Sequence, residues 1–428
     1  MNKIKILSNQ IKAAFCLRVF GKTFVAGLSV IFFMAFSITA FSQENKSSGW
    51  SQFRGNLRNG QNIETQAIEA LPETGPQLLW TKSVGNGFPE VASAAGTAFI
   101  FSSDSLEGGY EYLAAVEIET GNQRWKTRVD SLYFEVDGWG HGPRATPVVD
   151  DAAIYCLSGF GKLTACSIKD GSKIWVVDIP KEFGSVQPRW GYSSSPLIIE
   201  NFLILETGGA ETKAYTALDK KTGKTIWSKG TGEAGYNSPT MVNINGQNQI
   251  VFVADSMLFA YDLAGNQLWD FKMPFRQPTA MPVFISPDKF FMSTVSDVGS
   301  FMIQIKNNTA TQLWANTAMQ NEWSTSCYYN GFIFGISKTK LVCISAETGE
   351  MKWGQRGFGK GSLIILGDKL IVLSDQGLIT IAEASSEKFT KISSFQALHG
   401  KSWTAPSFAD GKLFVRNLST MSCFKLIK

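Results

Sequence analysis

The 428-residue sequence predicts an all-β fold, a single β-propeller of eight four-stranded antiparallel sheets arranged around an axis. Three observations predict this fold. Tryptophans recur at intervals of 39 to 52 residues, short runs of alternating apolar residues fill the intervals, and glycine or asparagine turns close those runs. The seven tryptophans of the repeat are Trp80, Trp125, Trp175, Trp227, Trp269, Trp314 and Trp353.

The turn that precedes most of these tryptophans explains the spacing. Five of them stand four residues after a turn glycine, as Trp227 does after Gly223. A hairpin turn needs a residue that tolerates positive φ, and the tryptophan on the departing strand supplies a large apolar ring to wedge between neighbouring sheets. The repeat therefore marks one hairpin in each blade.

The count of blades follows from the intervals. Six blades lie between Trp80 and Trp353, and a seventh is expected from Gly361 to about Ile392. The eighth is split: three strands come from the C-terminal residues, and residues 77–80, near Trp80, supply the fourth. This pairing closes the ring and removes an open sheet edge.

The first 42 residues are predicted to be a signal peptide. Residues 1–24 carry five basic and no acidic side chains, residues 25–41 are apolar, and Ala40 and Ser42 fit the cleavage positions before Gln43. No cysteine follows, so we expect a soluble exported protein, periplasmic or extracellular, that is not a lipoprotein. The alternative is an uncleaved anchor, although about 17 apolar residues barely span a bilayer.

Removal of that leader leaves 35 basic against 36 acidic residues, so a nucleic-acid partner is not expected. Residues 43–75 read as a polar N-terminal lead-in whose Trp50, Phe53 and Arg54 dock on the propeller. Residues 76–428 form the propeller itself. We expect no transmembrane span after signal cleavage.

The remaining cysteines and histidines are few and scattered. Cys156 and Cys166 flank the turn at residues 159–162, either as a cross-strand disulfide or as two small core residues. His141 and His399 lack a defined carboxylate partner, so no metal site is predicted. Because Gly-x-Ser-x-Gly, P-loop and His-Glu-x-x-His motifs are absent, no catalytic residue is assigned.

The repeat also carries a family resemblance. The stretch Ala217–Trp227 (ALDKKTGKTIW) resembles the repeat of PQQ-like propellers, a family that includes quinoprotein dehydrogenases and the propeller subunit of the outer-membrane β-barrel assembly machinery. The stretches Trp50–Gly55, Gly140–Pro147 and Pro188–Pro196 look like those of secreted bacterial members. The resemblance covers roughly residues 75 to 428 and implies the fold rather than an activity.

The enzymes of that family hold the quinone with calcium, an acidic base and, in alcohol dehydrogenases, a ring made from two adjacent cysteines. This sequence has no adjacent cysteine pair and lacks the long insertions that build those active sites. No cofactor is therefore expected, and PQQ with calcium is the alternative.

The loops that lead into the innermost strands of a propeller meet around one mouth of the channel. The eight positions predicted to form this ring are Pro89, Arg144, Ser193, Tyr236, Thr279, Trp323, Lys360 and Trp403. Aromatic and basic side chains suit an anionic or planar ligand, a peptide edge or a sugar; the alternative is that they plug the channel and tie loops together. The candidate ligand- or partner-binding residues are His141, Arg144, Arg189, Trp190, Tyr192, Tyr236, Trp323 and Trp403.

The sequence thus favours an exported, non-catalytic propeller of the cell envelope. It would bind other exported or outer-membrane proteins, or a small ligand at the channel mouth, and could serve in outer-membrane protein assembly. One alternative is a PQQ-dependent oxidoreductase that uses Arg144, Arg189 and Trp190. A second is a carbohydrate-binding or carbohydrate-active propeller that stacks sugars on Trp323 and Trp403.

Overall fold

The computed structural model describes residues 49–62, 75–104 and 108–427. The predicted signal peptide lies outside these residues. Over the described ranges, β1 (Gln61–Asn62) and β2 (Gln77–Ser83) come first and are followed by the strands of eight blades. The predicted eight-bladed propeller of four-stranded antiparallel sheets is confirmed.

Blades 1 to 7 pair their strands in sequence order, with the first of the four strands innermost, and blade 8 pairs β31, β32 and β33 with β2 as its outermost strand. Blades 1 to 4 contain β3–β6 (Ala92–Ala94, Thr97–Ser103, Tyr110–Glu117, Gln123–Ser131), β7–β10 (Val148–Val149, Ala153–Leu157, Lys162–Ser167, Lys173–Asp178), β11–β14 (Leu197–Ile199, Phe202–Glu206, Tyr215–Asp219, Thr225–Lys229) and β15–β18 (Thr240–Ile244, Gln247–Val253, Met257–Tyr261, Gln267–Lys272). Blades 5 to 8 contain β19–β22 (Val283–Ser286, Lys289–Ser293, Ser300–Lys306, Thr309–Asn316), β23–β26 (Cys327–Tyr329, Phe332–Ser337, Lys340–Ser345, Met351–Arg356), β27–β30 (Ser362–Leu366, Lys369–Leu373, Leu378–Glu383, Lys391–Gln396) and β31–β33 (Ser407–Ala409, Lys412–Arg416, Thr420–Lys425).

In six of the eight blades the repeated tryptophan donates to a carbonyl of the next blade. Trp269 of blade 4 donates instead to Gln249 of its own blade, and blade 7 has no such tryptophan. Trp125, on the outermost strand of blade 1, donates its indole N–H to the carbonyl of Ile168 in blade 2 (3.0 Å). Gly171 lies beneath the same ring at φ +72°, and a Cβ there would stand 2.5 Å from the ring. The turn glycine is therefore required twice, by its backbone conformation and by the tryptophan of the preceding blade.

Blade 8 is closed by the N-terminal strand, as predicted. β2 pairs antiparallel with β33, and Trp80 donates to the carbonyl of Ile118 (2.8 Å), which places it in the same inter-blade position as its counterparts. Since the two ends of the propeller share one sheet, hydrogen bonds rather than a loop hold the ring shut.

One short helix departs from the all-strand prediction. α1 (Ile179–Phe183) follows β10, begins after the N-cap Asp178 and ends at Gly184, which adopts a left-handed conformation. Five residues are too few to show a helical period in the sequence. Over the described residues, no helix has both the length and the apolar character needed to cross a membrane.

The residues of the predicted lead-in that the structure describes lie in the central channel. We call Gly49–Asn62 the plug. Its β1 pairs in parallel with β27, the innermost strand of blade 7, and Trp50 bridges Ser93 of β3, the innermost strand of blade 1.

Cys156 and Cys166 are free and fully buried, so they are two core residues rather than a disulfide.

Candidate binding face at the channel mouth

The plug fills the channel with arginines that bind backbone carbonyls. Arg58, which is 4% exposed, donates from Nη1 to the carbonyl of Pro239 (2.6 Å) and from Nη2 to that of Ser195 (3.0 Å). Nη2 also donates to the carbonyl of Pro196. These carbonyls precede the innermost strands of blades 3 and 4, so one guanidinium satisfies acceptors that would otherwise be buried without partners.

Arg54 binds a third blade of the channel wall. Its Nη2 donates to the carbonyl of Ser326 (2.9 Å), just before the innermost strand of blade 6, and contacts the Sγ of Cys327 (3.1 Å). Gly60 packs against this guanidinium, since a Cβ there would lie 2.4 Å from Nη2. The two plug arginines therefore contact the starts of three innermost strands, those of blades 3, 4 and 6.

Glu90 is the acidic group that the plug covers. Its Oε2 accepts from the indole N–H of Trp50 (3.0 Å) and from the backbone N–H of Arg54 (2.7 Å). Burial raises the pKa of Glu90 to about 7, against the opposing effect of these hydrogen bonds and of the nearby arginines. Burial likewise lowers the pKa of Arg58 to about 9. The plug thus satisfies Glu90 Oε2, whereas Glu90 Oε1 and Arg54 Nε are buried without a hydrogen-bond partner in the part of the chain that the structure describes.

Residues 132–147, which connect β6 to β7, are termed the mouth loop. The carboxylate of Glu135 accepts from the backbone N–H groups of Asp137 (2.7 Å) and Trp139 (2.8 Å). The Nδ1 of His141 in turn accepts from the backbone N–H of Glu135 (3.0 Å). The loop is thus held by its own side chains before any partner arrives.

The tip of the mouth loop reaches two other blade connections. Trp139 contacts Trp323 (6.3 Å between ring centres) and Trp403 (5.8 Å), and these two lie 4.7 Å apart. Lys360 Nζ stands 4.8 Å from the ring centre of Trp323. Lys401 Nζ lies 4.4 Å from that of Trp403 and donates to the carbonyl of Trp139 (3.2 Å). Cations over indole faces stabilise this closed arrangement.

A second group of mouth residues surrounds Asp137. The guanidinium of Arg189 binds its carboxylate through two hydrogen bonds (2.8 and 2.9 Å), and the indole N–H of Trp190 donates to it (2.8 Å). The hydrogen bonds from Arg189 and Trp190 lower the pKa of Asp137 to about 2. The ring of Tyr236 lies 5.0 Å from that of Trp190. This cluster anchors the mouth loop to blades 3 and 4.

Arg144 is an internal tie of the mouth loop. Its guanidinium lies over the rings of Tyr133 (4.6 Å) and Phe88 (5.3 Å) and donates to the carbonyls of Gly140 (2.8 Å) and Gly142. Burial lowers its pKa. The buried Arg144 side chain therefore fixes the backbone of the mouth loop at Gly140 and Gly142.

Tyr192 faces away from the mouth. It is 1% exposed, its hydroxyl donates to the Oγ of Ser185 (2.6 Å), and its ring belongs to the core between blades 2 and 3. The other seven predicted residues do lie at the mouth: His141, Arg144, Arg189, Trp190, Tyr236, Trp323 and Trp403.

The mouth loop and its neighbour present exposed apolar side chains. Phe134 is 49% exposed, Val136 83% and Trp139 40%. Phe160, on the adjacent turn of blade 2, is 38% exposed and contacts Tyr133, the residue before Phe134 (5.4 Å between ring centres). We call Phe134, Val136, Trp139 and Phe160 the mouth patch.

Comparison with known proteins places this architecture in a family. The family model of outer membrane protein assembly factor BamB matches residues 110–355, more than half of the chain. The chain belongs to the BamB family. The resemblance of the repeat to PQQ-like propellers is thereby confirmed.

Individual BamB proteins are similar over a shorter stretch. BamB of Yersinia pestis is 25% identical over 168 residues, and BamB of Marinobacter adhaerens is 23% identical over 163 residues. The match spans 38% of this chain, and 38% and 36% of those two proteins.

Solved structures extend the likeness at the level of fold. BamB from Moraxella catarrhalis superposes with a TM-score of 0.60 at 15% identity, covering 82% of this chain and 97% of the other. Quinohemoprotein alcohol dehydrogenase from Comamonas testosteroni superposes at 0.65 with 12% identity, covering 90% and 82%. Because both identities are low, these likenesses concern the propeller and not its chemistry.

The three residues that would contact a quinone cofactor are engaged within this BamB-family chain itself. Arg189 and Trp190 donate to Asp137, and Arg144 donates to carbonyls of its own loop. In this arrangement the three candidate contacts do not fit a cofactor that needs their donors. Within residues 49–62, 75–104 and 108–427, no three His, Cys, Asp or Glu side chains lie together as a metal site requires.

Sequence reasoning missed the residues that organise the mouth of this BamB-family propeller. Asp137, Glu135 and Trp139 lie five or more residues before Arg144, the position at which this connection was aligned with the others, so the alignment of the blades passed over them. A signal was available in the length of that connection, because 16 residues separate β6 from β7 whereas 10 separate β14 from β15. Long loops on rigid scaffolds commonly carry function.

Proposed function

We propose that this protein is an exported, non-catalytic binding platform of the cell envelope that acts in outer-membrane protein assembly. The mouth face contacts a partner protein of that process. Membership of the BamB family and the name of its matched relatives support the process. The predicted signal peptide supports export to the periplasm or beyond.

The observation that carries the proposal is the mouth patch on a pre-organised loop. Val136, Phe134 and Trp139 stand exposed on a loop whose turn is fixed by the carboxylate of Glu135. Exposed apolar side chains on a rigid support bind a partner at little ordering cost. The surrounding Asp137 and Arg189 supply a polar rim of the kind that borders protein interfaces.

Site-specific crosslinking tests the proposal. A photoreactive residue at Val136 is expected to capture a component of the outer-membrane assembly machinery or an outer-membrane protein in transit. The matched control is the same residue at Leu313, which is 45% exposed on the outermost strand of blade 5. Adducts of the same identity and yield at both positions, or none at Val136, would contradict the proposal.

The two alternative functions require a ligand to reach Trp190, Trp323 or Trp403, which the mouth loop contacts through Asp137 and Trp139. A thermal-shift titration with PQQ plus calcium separates the first alternative from the platform. A saturable rise in the melting midpoint that is lost in Arg189→Ala would favour the oxidoreductase. A glycan panel applied in the same assay addresses the carbohydrate alternative.

A further inference from the structure

The plug is held in the channel by the kinds of contact that hold a bound peptide. Trp50, Arg54 and Arg58 recur at every fourth residue, and each is at most 4% exposed. We propose that the central channel is a peptide-binding site whose ligand is Gly49–Asn62, and that this ligand is separable from the propeller. The proposal does not depend on the assembly function.

The first argument is the chemistry of the channel wall. Backbone carbonyls at the starts of the innermost strands of blades 3, 4 and 6 all receive guanidinium donors of the plug. Glu90 adds an acidic group from blade 1 that accepts from Trp50 and from the backbone N–H of Arg54. A wall of carbonyls with one carboxylate selects a ligand that is rich in donors and cationic.

The second argument is the main-chain pairing. β1 extends the sheet of blade 7 by pairing in parallel with β27, and the N–H of Ile365 donates to the carbonyl of Gly60 (2.8 Å). The N–H of Gly367 donates to the carbonyl of Asn62 (3.0 Å). Addition of a strand to an exposed sheet edge is a general mode of peptide recognition.

The third argument concerns topology. The innermost strands begin at the mouth and run away from it. The chain at Trp50 is antiparallel to β3 and therefore runs toward the mouth, whereas β1 is parallel to β27 and runs away from the mouth. The plug therefore enters and leaves through the face opposite the mouth. A hairpin with both ends on one side can withdraw and return without opening the ring.

The tip of the hairpin supplies an internal control. Leu57 is 56% exposed, whereas its neighbour Arg58 is 4% exposed and makes hydrogen bonds to three carbonyls. If the channel recognises the plug as a ligand, the two positions must differ sharply in their effect on binding, even though they are adjacent in sequence.

The experiment uses the full mature chain with a protease recognition sequence inserted between Leu71 and Pro72. After cleavage, the N-terminal fragment is expected to co-elute with the propeller in native size exclusion. A fluorescent synthetic peptide of residues 43–62 is expected to exchange with it after brief release in mild denaturant. The Arg58→Ala peptide should bind at least tenfold more weakly, and the Leu57→Ala peptide should bind within twofold of the original.

Three results would overturn the proposal. The fragment could leave the folded propeller at once, or the Arg58→Ala and Leu57→Ala peptides could bind equally. The propeller could also unfold when the fragment leaves and fail to regain its fold with added peptide, which would make the plug an inseparable part of the core. If the inserted sequence is not cut, co-expression of the two pieces as separate chains gives the same readouts.

Discussion

Replacement of Gly171 by alanine tests whether the tryptophan–glycine contact couples neighbouring blades. The residue adopts φ +72°, and an added Cβ would lie 2.5 Å from the Trp125 ring. Alanine in a left-handed conformation costs about 1–2 kcal/mol. Overpacking against the ring adds about 1–3 kcal/mol. The free energy of unfolding should therefore fall by about 2–5 kcal/mol, measured by urea denaturation followed by tryptophan fluorescence.

Gly246→Ala is the matched control. Gly246 also has a positive φ (+82°) in a hairpin turn, but no atom lies within 4 Å of the position that its Cβ would occupy. It should lose only the backbone contribution of about 1–2 kcal/mol. Equal losses at Gly171 and Gly246 would refute the inter-blade contact. So would a Gly171→Ala effect that stays unchanged when Trp125 is replaced by alanine, because removal of the ring should relieve the overlap.

Three further predictions concern a buried acid, the mouth loop and ring closure. Burial raises the pKa of Glu206 from 4.5 to about 8, so the folded state keeps a proton that the unfolded chain releases, and stability should fall as pH rises between those values. Glu206→Gln should flatten this fall and be the more stable protein at pH 8 by more than about 1 kcal/mol, since each pKa unit corresponds to about that much; parallel pH profiles would contradict it. Asp137→Ala should speed proteolysis within residues 132–147 while the free energy of unfolding stays close to that of the unchanged protein, whereas Asp255→Ala, which breaks a similar exposed pair, should leave that cleavage unchanged. Trp80→Ala should cost about 3–5 kcal/mol in denaturation because the ring is 8% exposed between blades 8 and 1; Leu78→Ala, 51% exposed on the same strand, should cost little, and similar losses would argue against a closure role.

The fold could be predicted because its causes repeat. Trp227 and Gly265 make the same contact as Trp125 and Gly171, so one physical requirement appears in the sequence many times at a regular spacing. Ring closure by β2 followed from the need to cover a sheet edge next to Trp80. A packing contact that recurs in successive blades therefore requires the same residues at a regular spacing in the sequence.

The site was only partly predictable because its contacts occur once. Tyr192 was grouped with Trp190 by proximity in sequence, yet the turn at Gly191, whose φ is +77°, directs the Tyr192 ring into the core. Asp137 binds Arg189 across 52 residues, and no spacing rule relates them. The lead-in was expected to dock through Trp50, Phe53 and Arg54. Arg58 was missed because it binds main-chain carbonyls, which any sequence possesses and which therefore leave no signature.

The position of the plug along the chain has a consequence for the order of folding. Gly49–Asn62 is synthesised ahead of every blade, yet its partners extend to Gly367, so the first segment to emerge is among the last that can reach its native contacts. Loop closure over such separations is slow compared with the pairing of adjacent strands within a blade. Until blade 7 exists, β1 has no partner strand, so the plug cannot complete its native contacts and the nascent channel stays incompletely filled. A chain stalled before residue 362 should therefore hold folded blades around an incompletely filled centre, which makes it recognisable to proteases as unfinished.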